Sequence, residues 1–143
     1  MKSFATDRIG RFVVIHLEKG DLLLESIQSE TERLSIKSGV VISGIGSLRK
    51  IVLHIITNTK DVSVNEYITI EEPIEIGSIQ GIILDGVAHL HIVCSDMTRA
   101  YTGHLENGCE VQYIAEISIL EVEDMGLTRK NDQFGVTSNI DYR

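Results

Sequence analysis

Apolar and polar positions along the chain predict a series of strands, with one stretch of helical periodicity near the start. The segment 11–17 (RFVVIHL) is β-branched and apolar, which is typical of a strand. The segment 21–37 then carries a stripe of side chains at helical spacing. This stripe consists of Leu23, Leu24, Ile27, Thr31 and Leu34. We expect Asp21 to cap the start of the helix and Gly39 to lie just beyond its end.

From residue 40 to residue 122 the chain has the pattern of successive strands joined by turns. The predicted strands span residues 40–46, 48–57, 64–70, 74–84, 87–95 and 110–122. Asp85-Gly86 is a residue pair typical of a hairpin turn. The glycines of segment 43–47 (SGIGS) precede a strand, whereas those of a dinucleotide-binding loop precede a helix, so they predict a bend or bulge.

Several of these strands are apolar on both faces, and one helix can cover only part of one sheet face. Because large exposed apolar patches are rare on monomers, a second sheet or other subunits must cover the rest. We therefore expect an α+β domain that oligomerises. Candidate interface residues are some of Val52, His54, Ile56, Ile82 and Leu84. We expect one domain over residues 1–143, with a core at about 8–122 and a polar arm or tail at 124–143.

Charge and composition narrow the classes of function. The 143 residues include 13 basic and 21 acidic side chains, and the net charge of -8 disfavours sequence-independent binding to phosphate backbones. No apolar run is long enough to span a bilayer, and the first residues lack the apolar region of a secretory signal. Two cysteines are too few for a disulfide framework. We expect a cytoplasmic protein with reduced thiols and no membrane association.

The segment 86–91 (GVAHLH) is the clearest candidate for chemistry. Residues two apart in a strand face the same side, so His89 and His91 can converge on one cation. His104, in the segment 102–105 (TGHL), is the candidate third ligand, at the start of the next strand or in the loop before it. Three neutral imidazoles and a water would form an open zinc site that can polarise a ligand or activate water. The alternative is a solvated strand face without a metal.

The other histidines, the two cysteines and Glu116 each have a structural interpretation. His16 and His54 lie within apolar strands and are interpreted as core or interface histidines. Cys94 falls on the face opposite the paired histidines and is expected to be buried. Burial is also expected for Cys109, with a ligand role left open. Glu116 is either a solvated strand residue or a carboxylate that orients a histidine or acts as a general base.

Four stretches of sequence together carry a family resemblance. They are GRFVVIHLEKGDLLLESI at 10–27, IKSGVVISGIGSLRKIVL at 36–53, GVAHLHIVCSD at 86–96 and TGHLENGCEVQYIAEISI at 102–119. Over roughly residues 8–122, the order of the GxGS, HxH and GHL motifs resembles the plants-and-prokaryotes-conserved domain (PPC or PCC), also described as a PD1-like DNA-binding domain. The resemblance implies a strongly curved, mainly antiparallel sheet with one main helix, assembled as a homotrimer.

The resemblance also implies roles for individual residues. His89, His91 and His104 match a histidine motif that resembles a zinc or other divalent metal site in prokaryotic members. Glu116 falls where that motif carries a glutamate in the last strand. In plants the domain accompanies a basic AT-hook that enters the minor groove of DNA, and this chain has no such motif. Its charges therefore give nucleic-acid binding little support.

Three hypotheses of function follow from these observations. The first is a homotrimeric, metal-binding PPC-domain protein that acts through protein association or a small ligand. The second is an enzyme in which the three-histidine metal activates water, with Glu116 as the base. The third is a DNA-binding regulator, which would need 13 basic residues to form a positive surface among 21 acidic ones.

Overall fold

The computed structural model describes residues 1–123 and 125–143, and in these residues it has nine strands and one helix. The strands are β1 (Ile9–Glu18), β2 (Ser38–Ile56), β3 (Asn65–Ile70), β4 (Ile74–Leu84), β5 (Val87–Ser95), β6 (Ala100–Leu105), β7 (Glu110–Val122), β8 (Leu127–Asn131) and β9 (Thr137–Tyr142). The helix α1 (Leu23–Arg33) lies between β1 and β2. Seven strands form one antiparallel sheet, and β8 pairs with β9. The expected mainly antiparallel α+β fold with one main helix is confirmed.

The 19-residue strand β2 organises the sheet because both of its edges are paired. On one edge it pairs with β4 and then β3, and on the other edge with β7 and then β6. Strand β5 pairs with both β4 and β6. The strands β2, β4, β5 and β6 therefore close into a small barrel, and β1 extends the sheet beyond β7.

The hydrophobic pattern predicts two strands, 40–46 and 48–57, where the structure has the single strand β2. The glycine-rich segment between them is a β-bulge, because the register with β7 shifts between Val41 and Ser43 and again between Gly46 and Leu48. A bulge bends a strand without ending it. The predicted bend or bulge at 43–47 is thus confirmed, whereas the predicted break into two strands is wrong.

The start of α1 differs from the expected Asp21 cap. The N-cap residue is Leu22, whose side chain makes no capping hydrogen bond. The Asp21 carboxylate instead accepts a hydrogen bond of 2.8 Å from the Glu18 N–H. The Leu23 N–H donates to the Cys109 carbonyl. The predicted Asp21 cap is wrong, because the first N–H of the helix is bound by a backbone carbonyl next to β7 and not by a capping side chain.

The end of α1 also differs from the expectation. The helix ends at Arg33, and Ser35 has a left-handed backbone conformation with φ of 56°. Gly39 lies inside β2, where a Cβ atom would meet the Leu120 carbonyl oxygen at 3.2 Å. Glycine at this position therefore allows a close approach of strands and does not terminate the helix.

The core is one cluster of buried apolar side chains from α1, β1, β2 and β4–β7. Helix α1 contributes Leu23 and Ile27, both fully buried. The three-to-four-residue spacing predicted for its buried stripe is therefore confirmed. Within the described residues, no helix has the length and apolarity needed to cross a membrane.

Two regions form strands that the hydrophobic pattern does not predict. Residues 100–105 form β6, and the polar region near the end of the chain forms the hairpin β8–β9. Leu127 of this hairpin is buried, and the Arg129 guanidinium donates hydrogen bonds to the carbonyls of Ile82 and Val87. The C-terminal arm is thus docked beside the β4–β5 hairpin. Residue 124, the first residue of the predicted arm, lies outside the described residues.

Candidate metal centre

Strand β5 presents His89 and His91 on one side and buries the residues of its other side. Leu90, Ile92 and Cys94 are at most 2% exposed, whereas both histidines are exposed. The two imidazole rings are nearly parallel, at 13°, with centres 5.5 Å apart. The alternation expected from the sequence therefore places both imidazoles on the outer side of the barrel wall.

Strand β6 brings His104 to the same side. In the strand register His104 lies opposite His91 of β5. Its ring centre is 4.8 Å from that of His89 and 5.6 Å from that of His91. Imidazoles that bind one tetrahedral ion through nitrogens at 2.0–2.1 Å have ring centres about 5 Å apart. The ring centres of the triad are thus close to this spacing, but the ring nitrogens of His89, His91 and His104 do not all lie within 4.8 Å of one another, so binding of one ion would require their side chains to turn.

A fourth histidine, His54, belongs to this cluster and is missed by the sequence analysis, which interprets it as a core or interface residue. The register of β2 with β6 places His54 opposite His104, and the two rings stack with centres 4.6 Å apart. An open cleft of about 430 Å³ lies beside the rings. All four histidines of the cluster line this cleft, together with Ile55 and Ile56.

A carboxylate from Glu106, also missed by the sequence analysis, reaches the cluster. Its Oε1 atom lies 2.5 Å from Nδ1 of His54 and 3.0 Å from Nδ1 of His104. Among the described residues, one set of three potential metal ligands has its ligand atoms within 4.8 Å of one another, and it consists of His54, His104 and Glu106. Nδ1 of His104 is buried and, despite its closeness to Oε1, has no hydrogen bond of good geometry. This set and the sequence-predicted triad share His104.

Glu116 lies on β7 opposite His16 of β1. Its Oε1 is 3.7 Å from Nδ1 of His16, and both side chains are half exposed, so His16 is not a core residue within this chain. The structure therefore pairs Glu116 with His16 and places Glu106 beside the histidine cluster. A role for Glu116 toward a metal stays a prediction. The spacing of His104 and Glu106, two residues apart with Glu106 directly after the end of β6, is the signal that could have found Glu106.

The sequence model of the Plants and Prokaryotes Conserved (PCC) domain matches residues 4–123. The chain belongs to this family. The resemblance inferred from the GxGS, HxH and GHL motifs is thereby confirmed, and the match covers most of the chain, including all four histidines of the cluster and Glu106.

Solved structures share the fold of this PCC domain. A hypothetical protein from Salmonella cholerae-suis (Salmonella enterica) is 20% identical, with a TM-score of 0.80 over 99% of each chain. The plant- and prokaryote-conserved (PPC) protein of Pyrococcus horikoshii is 22% identical, with a TM-score of 0.79 over 96% of this chain and 94% of that one. The metal-containing protein of Archaeoglobus fulgidus is 25% identical, with a TM-score of 0.79 over 94% of this chain and 95% of that one.

Curated relatives are much longer proteins. The bifunctional protein GlmU of Synechococcus sp. (strain JA-3-3Ab) is 27% identical over 123 residues, which is 85% of this chain and 19% of that protein. The GlmU protein of Synechococcus sp. (strain JA-2-3B'a(2-13)) is 27% identical over 113 residues, which is 76% of this chain and 17% of that protein. This chain therefore spans less than a fifth of the length of the curated relatives that it matches.

The surroundings of the PCC-domain histidines favour neutral imidazoles. Partial burial lowers the pKa of His89 below its usual value, and the positive charges of His104 and Arg129 lower it further. Burial also lowers the pKa of His104, and His54 adds to this shift while Glu106 opposes it. Because neutral imidazole is the form that binds a metal ion, both side chains are available as ligands at neutral pH.

The two cysteines are buried, as expected from the sequence. Burial raises the pKa of the Cys94 and Cys109 thiols to about 11 in each case. The Cys109 thiol donates to the Val52 carbonyl at 3.2 Å, and its sulfur accepts from the Val52 N–H at 3.1 Å. These contacts tie the turn after β6 to strand β2.

Proposed function

We propose that this PCC-domain protein binds one zinc ion per chain through His89, His91 and His104, and that it assembles as a homotrimer. The observation that carries the metal proposal is the proximity of three imidazoles from β5 and β6 on one side of the barrel wall, with ring centres 4.8, 5.5 and 5.6 Å apart. The lowered pKa values of His89 and His104 support it. The similarity to the metal-containing protein of Archaeoglobus fulgidus supports it as well.

Zinc is proposed because imidazole nitrogens in a tetrahedral arrangement suit this ion. When bound, zinc supplies a Lewis acid that can polarise a ligand. The residues of the chain hold the ion on the outer side of the barrel wall, where β5 pairs with β6. The adjoining cleft of about 430 Å³ is within the size range of small-ligand sites, so a small molecule or a protein segment is the proposed partner there.

The metal content of the purified protein tests the site. We expect one zinc ion per chain in the wild type and loss of stoichiometric zinc in the double variant H89A/H91A, with the fold retained because both side chains are exposed. H16A is the matched control, since His16 is also a half-exposed histidine on a strand. A double variant that retains full zinc content would overturn the proposed site.

The homotrimer is proposed from an exposed apolar face of the sheet. This apolar sheet face consists of Phe12 and Val14 on β1, Ile45 on β2 and Ile114 on β7, all of them exposed and on the side of the His16–Glu116 pair. An exposed patch of this kind marks an interaction site, and further copies of the chain are the proposed occupants. Of the interface residues expected from the sequence, Leu84 is buried within the chain itself, so it is not available for contact.

Light scattering tests the assembly. We expect a mass three times the chain mass of 15.9 kDa for the wild type, and a monomer that still binds zinc for V14E/I45E. F134E is the matched control, because Phe134 is exposed to a similar degree but lies outside the apolar sheet face. A stable wild-type monomer at micromolar concentration would overturn the homotrimer and would leave the metal site in place.

A further inference from the structure

Strand β1 is the outermost strand at one end of the large sheet, so one of its two edges has no partner strand. Among the described strands, β1 pairs with β7 alone. It is 10 residues long and contains no proline or lysine, the residues that commonly protect an exposed edge. A free edge of this length presents a row of backbone donors and acceptors with which another extended segment can pair.

The contacts of Glu18 show which residues of β1 point toward the free edge. The Glu18 N–H donates to the Asp21 carboxylate at 2.8 Å, and the Glu18 carbonyl accepts from the Asp21 N–H at 3.1 Å, so both groups face away from β7. The backbone groups of an antiparallel strand alternate between its two edges. The N–H and carbonyl groups of Val14 and His16 therefore face the free edge, whereas those of Ile15 face β7.

A groove of about 700 Å³ lies between this edge and helix α1. It is lined by residues 14–17 of β1, by residues 20–22 and by Glu25, Ser26, Ser29 and Glu30 of α1. Among the described residues that line it there are three carboxylates, those of Asp21, Glu25 and Glu30, and neither lysine nor arginine. Arg33 pairs with Glu30 from outside the groove. An extended segment in this groove would therefore meet an acidic surface.

The Glu25 carboxylate has one oxygen without a hydrogen-bond donor. Its Oε1 accepts from the Gly108 N–H at 2.8 Å, whereas its Oε2 is buried and has no hydrogen-bond partner in the part of the chain that the structure describes. A buried carboxylate oxygen without a donor is costly in free energy. The cationic side chain of a bound segment would supply this donor and form a charge-assisted hydrogen bond.

We propose that the groove between β1 and α1 binds an extended segment of a partner protein, which pairs with the free edge of β1 and directs basic side chains toward α1. Pairing through the backbone supplies affinity, and the alternate side chains supply selectivity. This inference goes beyond the proposed function, because it uses neither the histidine cluster nor a metal ion.

The two faces of β1 indicate the sequence pattern of the partner segment. Ile15 and Leu17 are buried in one cluster with Leu23 and Ile27, so their face of β1 is the face toward α1. Val14 points to the opposite, apolar sheet face. Side chains of an added strand alternate between these two faces. Basic residues therefore suit the positions toward α1, and apolar residues suit the positions beside Val14.

Fluorescence anisotropy with labelled peptides of about eight residues tests the chemistry of the partner. The probe alternates lysine and valine. One control alternates glutamate and valine, and a second alternates lysine and proline, which keeps the charge but prevents strand pairing. At about 0.15 M salt, we expect the probe to bind the wild type at least about 10-fold more tightly than either control. No binding of the probe, or equal binding of the two lysine peptides, would overturn the inference.

Hydrogen exchange of single backbone amides locates the bound peptide. We expect the N–H groups of Val14 and His16 to exchange fast in the free protein and to be protected by the lysine–valine peptide. The N–H of Ile15, which faces β7, should be protected in both states. Binding without added protection at Val14 and His16 would overturn the strand pairing. Protection of both amides without peptide would show that a second copy of the chain fills the edge, and would also overturn the inference.

The variants H16P and E25Q test the two sources of affinity separately. H16P removes an N–H that faces the free edge, a position where a strand tolerates proline, and H16A is the matched control that keeps this N–H. We expect H16P to bind the lysine–valine peptide about 2–10-fold more weakly than H16A, the effect of one hydrogen bond. H16P binding equal to that of H16A would contradict the strand pairing.

E25Q keeps the size of the side chain and removes the charge that the basic residue would meet. We expect it to bind the lysine–valine peptide about 10-fold more weakly than the wild type. E66Q is the matched control, because Glu66 is an exposed glutamate on β3 outside the groove. If H16P does not fold, E25Q and the exchange of Val14 and His16 decide the outcome. Equal binding by E25Q and E66Q would overturn the proposed basic partner.

Discussion

His54 and His104 lie directly opposite each other in the pairing of β2 with β6, and their imidazole rings stack with centres 4.6 Å apart. This pairing closes the barrel and brings His104 and the β5 histidines to the side of the molecule that His54 occupies. The same relationship places Glu106 between two imidazoles. The candidate metal centre is therefore a product of barrel closure and not of one local motif.

The contact between Gly44 and Ile79 predicts a large effect of a small substitution. A Cβ atom at position 44 would lie 2.5 Å from Cβ of Ile79, a fully buried residue. Overpacking of this kind costs about 1–3 kcal/mol. We expect urea unfolding to show a lower free energy of unfolding for G44A by about this amount. G77A is the control, since its Cβ would have the Val93 carbonyl oxygen at 3.6 Å as neighbour, and equal stability of the two variants would contradict the account.

Neither cysteine should react in the folded protein near neutral pH. Burial raises the pKa of both thiols to about 11, and Cys94 and Cys109 are at most 2% exposed. A raised pKa keeps each thiol protonated, and the thiolate is the reactive form. Titration with a disulfide reagent at about pH 8 should detect no fast-reacting thiol in the folded chain and two in the denatured chain. A fast-reacting thiol in the folded chain would show that the burial is incomplete.

Zinc occupancy of the histidine site should fall as the pH falls. A metal ligand must be a neutral imidazole, so protons compete with zinc as the pH falls. The lowered pKa values of His89 and His104 weaken this competition at neutral pH. We expect occupancy to be full at about pH 7 and to fall steeply below about pH 6. Occupancy measured after dialysis at a series of pH values checks this, and zinc retained at about pH 4 would argue against imidazole ligands.

Binding to DNA should be absent at physiological ionic strength. The chain has a net charge of -8, so it has little with which to release counterions from a duplex. Assembly into a homotrimer would triple this charge. We expect no change in fluorescence anisotropy of mixed-sequence or A·T-rich duplexes at about 0.15 M salt with micromolar protein. Sub-micromolar binding under these conditions would contradict the charge argument.

Much of the fold follows from the sequence because strands with strong apolar character are locally specified. The bounds of β4, β5 and β7 agree with the predicted segments 74–84, 87–95 and 110–122. The Asp85-Gly86 turn is confirmed, with φ of 52° and 78°, values that suit a two-residue hairpin turn. The side of β5 that carries His89 and His91 follows from strand alternation alone.

The features of the fold and of the candidate site that the sequence does not predict depend on contacts between residues far apart in the chain. Strand β6 is short and mixed in polarity, so its alternation gives no clear signal, and its place in the barrel comes from pairing with β5 and β2. In the sequence His54 is surrounded by apolar residues, which favours a position in the core. Its place in the histidine cluster follows only from the pairing of β2 with β6. Leu22 replaces Asp21 as the helix cap because the Cys109 carbonyl, far away in the sequence, accepts the first helical N–H.

Anomalous diffraction at the zinc edge, from crystals of the zinc-loaded wild type, tests the central claim most directly. We expect one anomalous peak per chain, bounded by ring nitrogens of His89, His91 and His104. No peak at the histidine cluster, or a peak held by Glu106 and His54 away from the two histidines of β5, would contradict it.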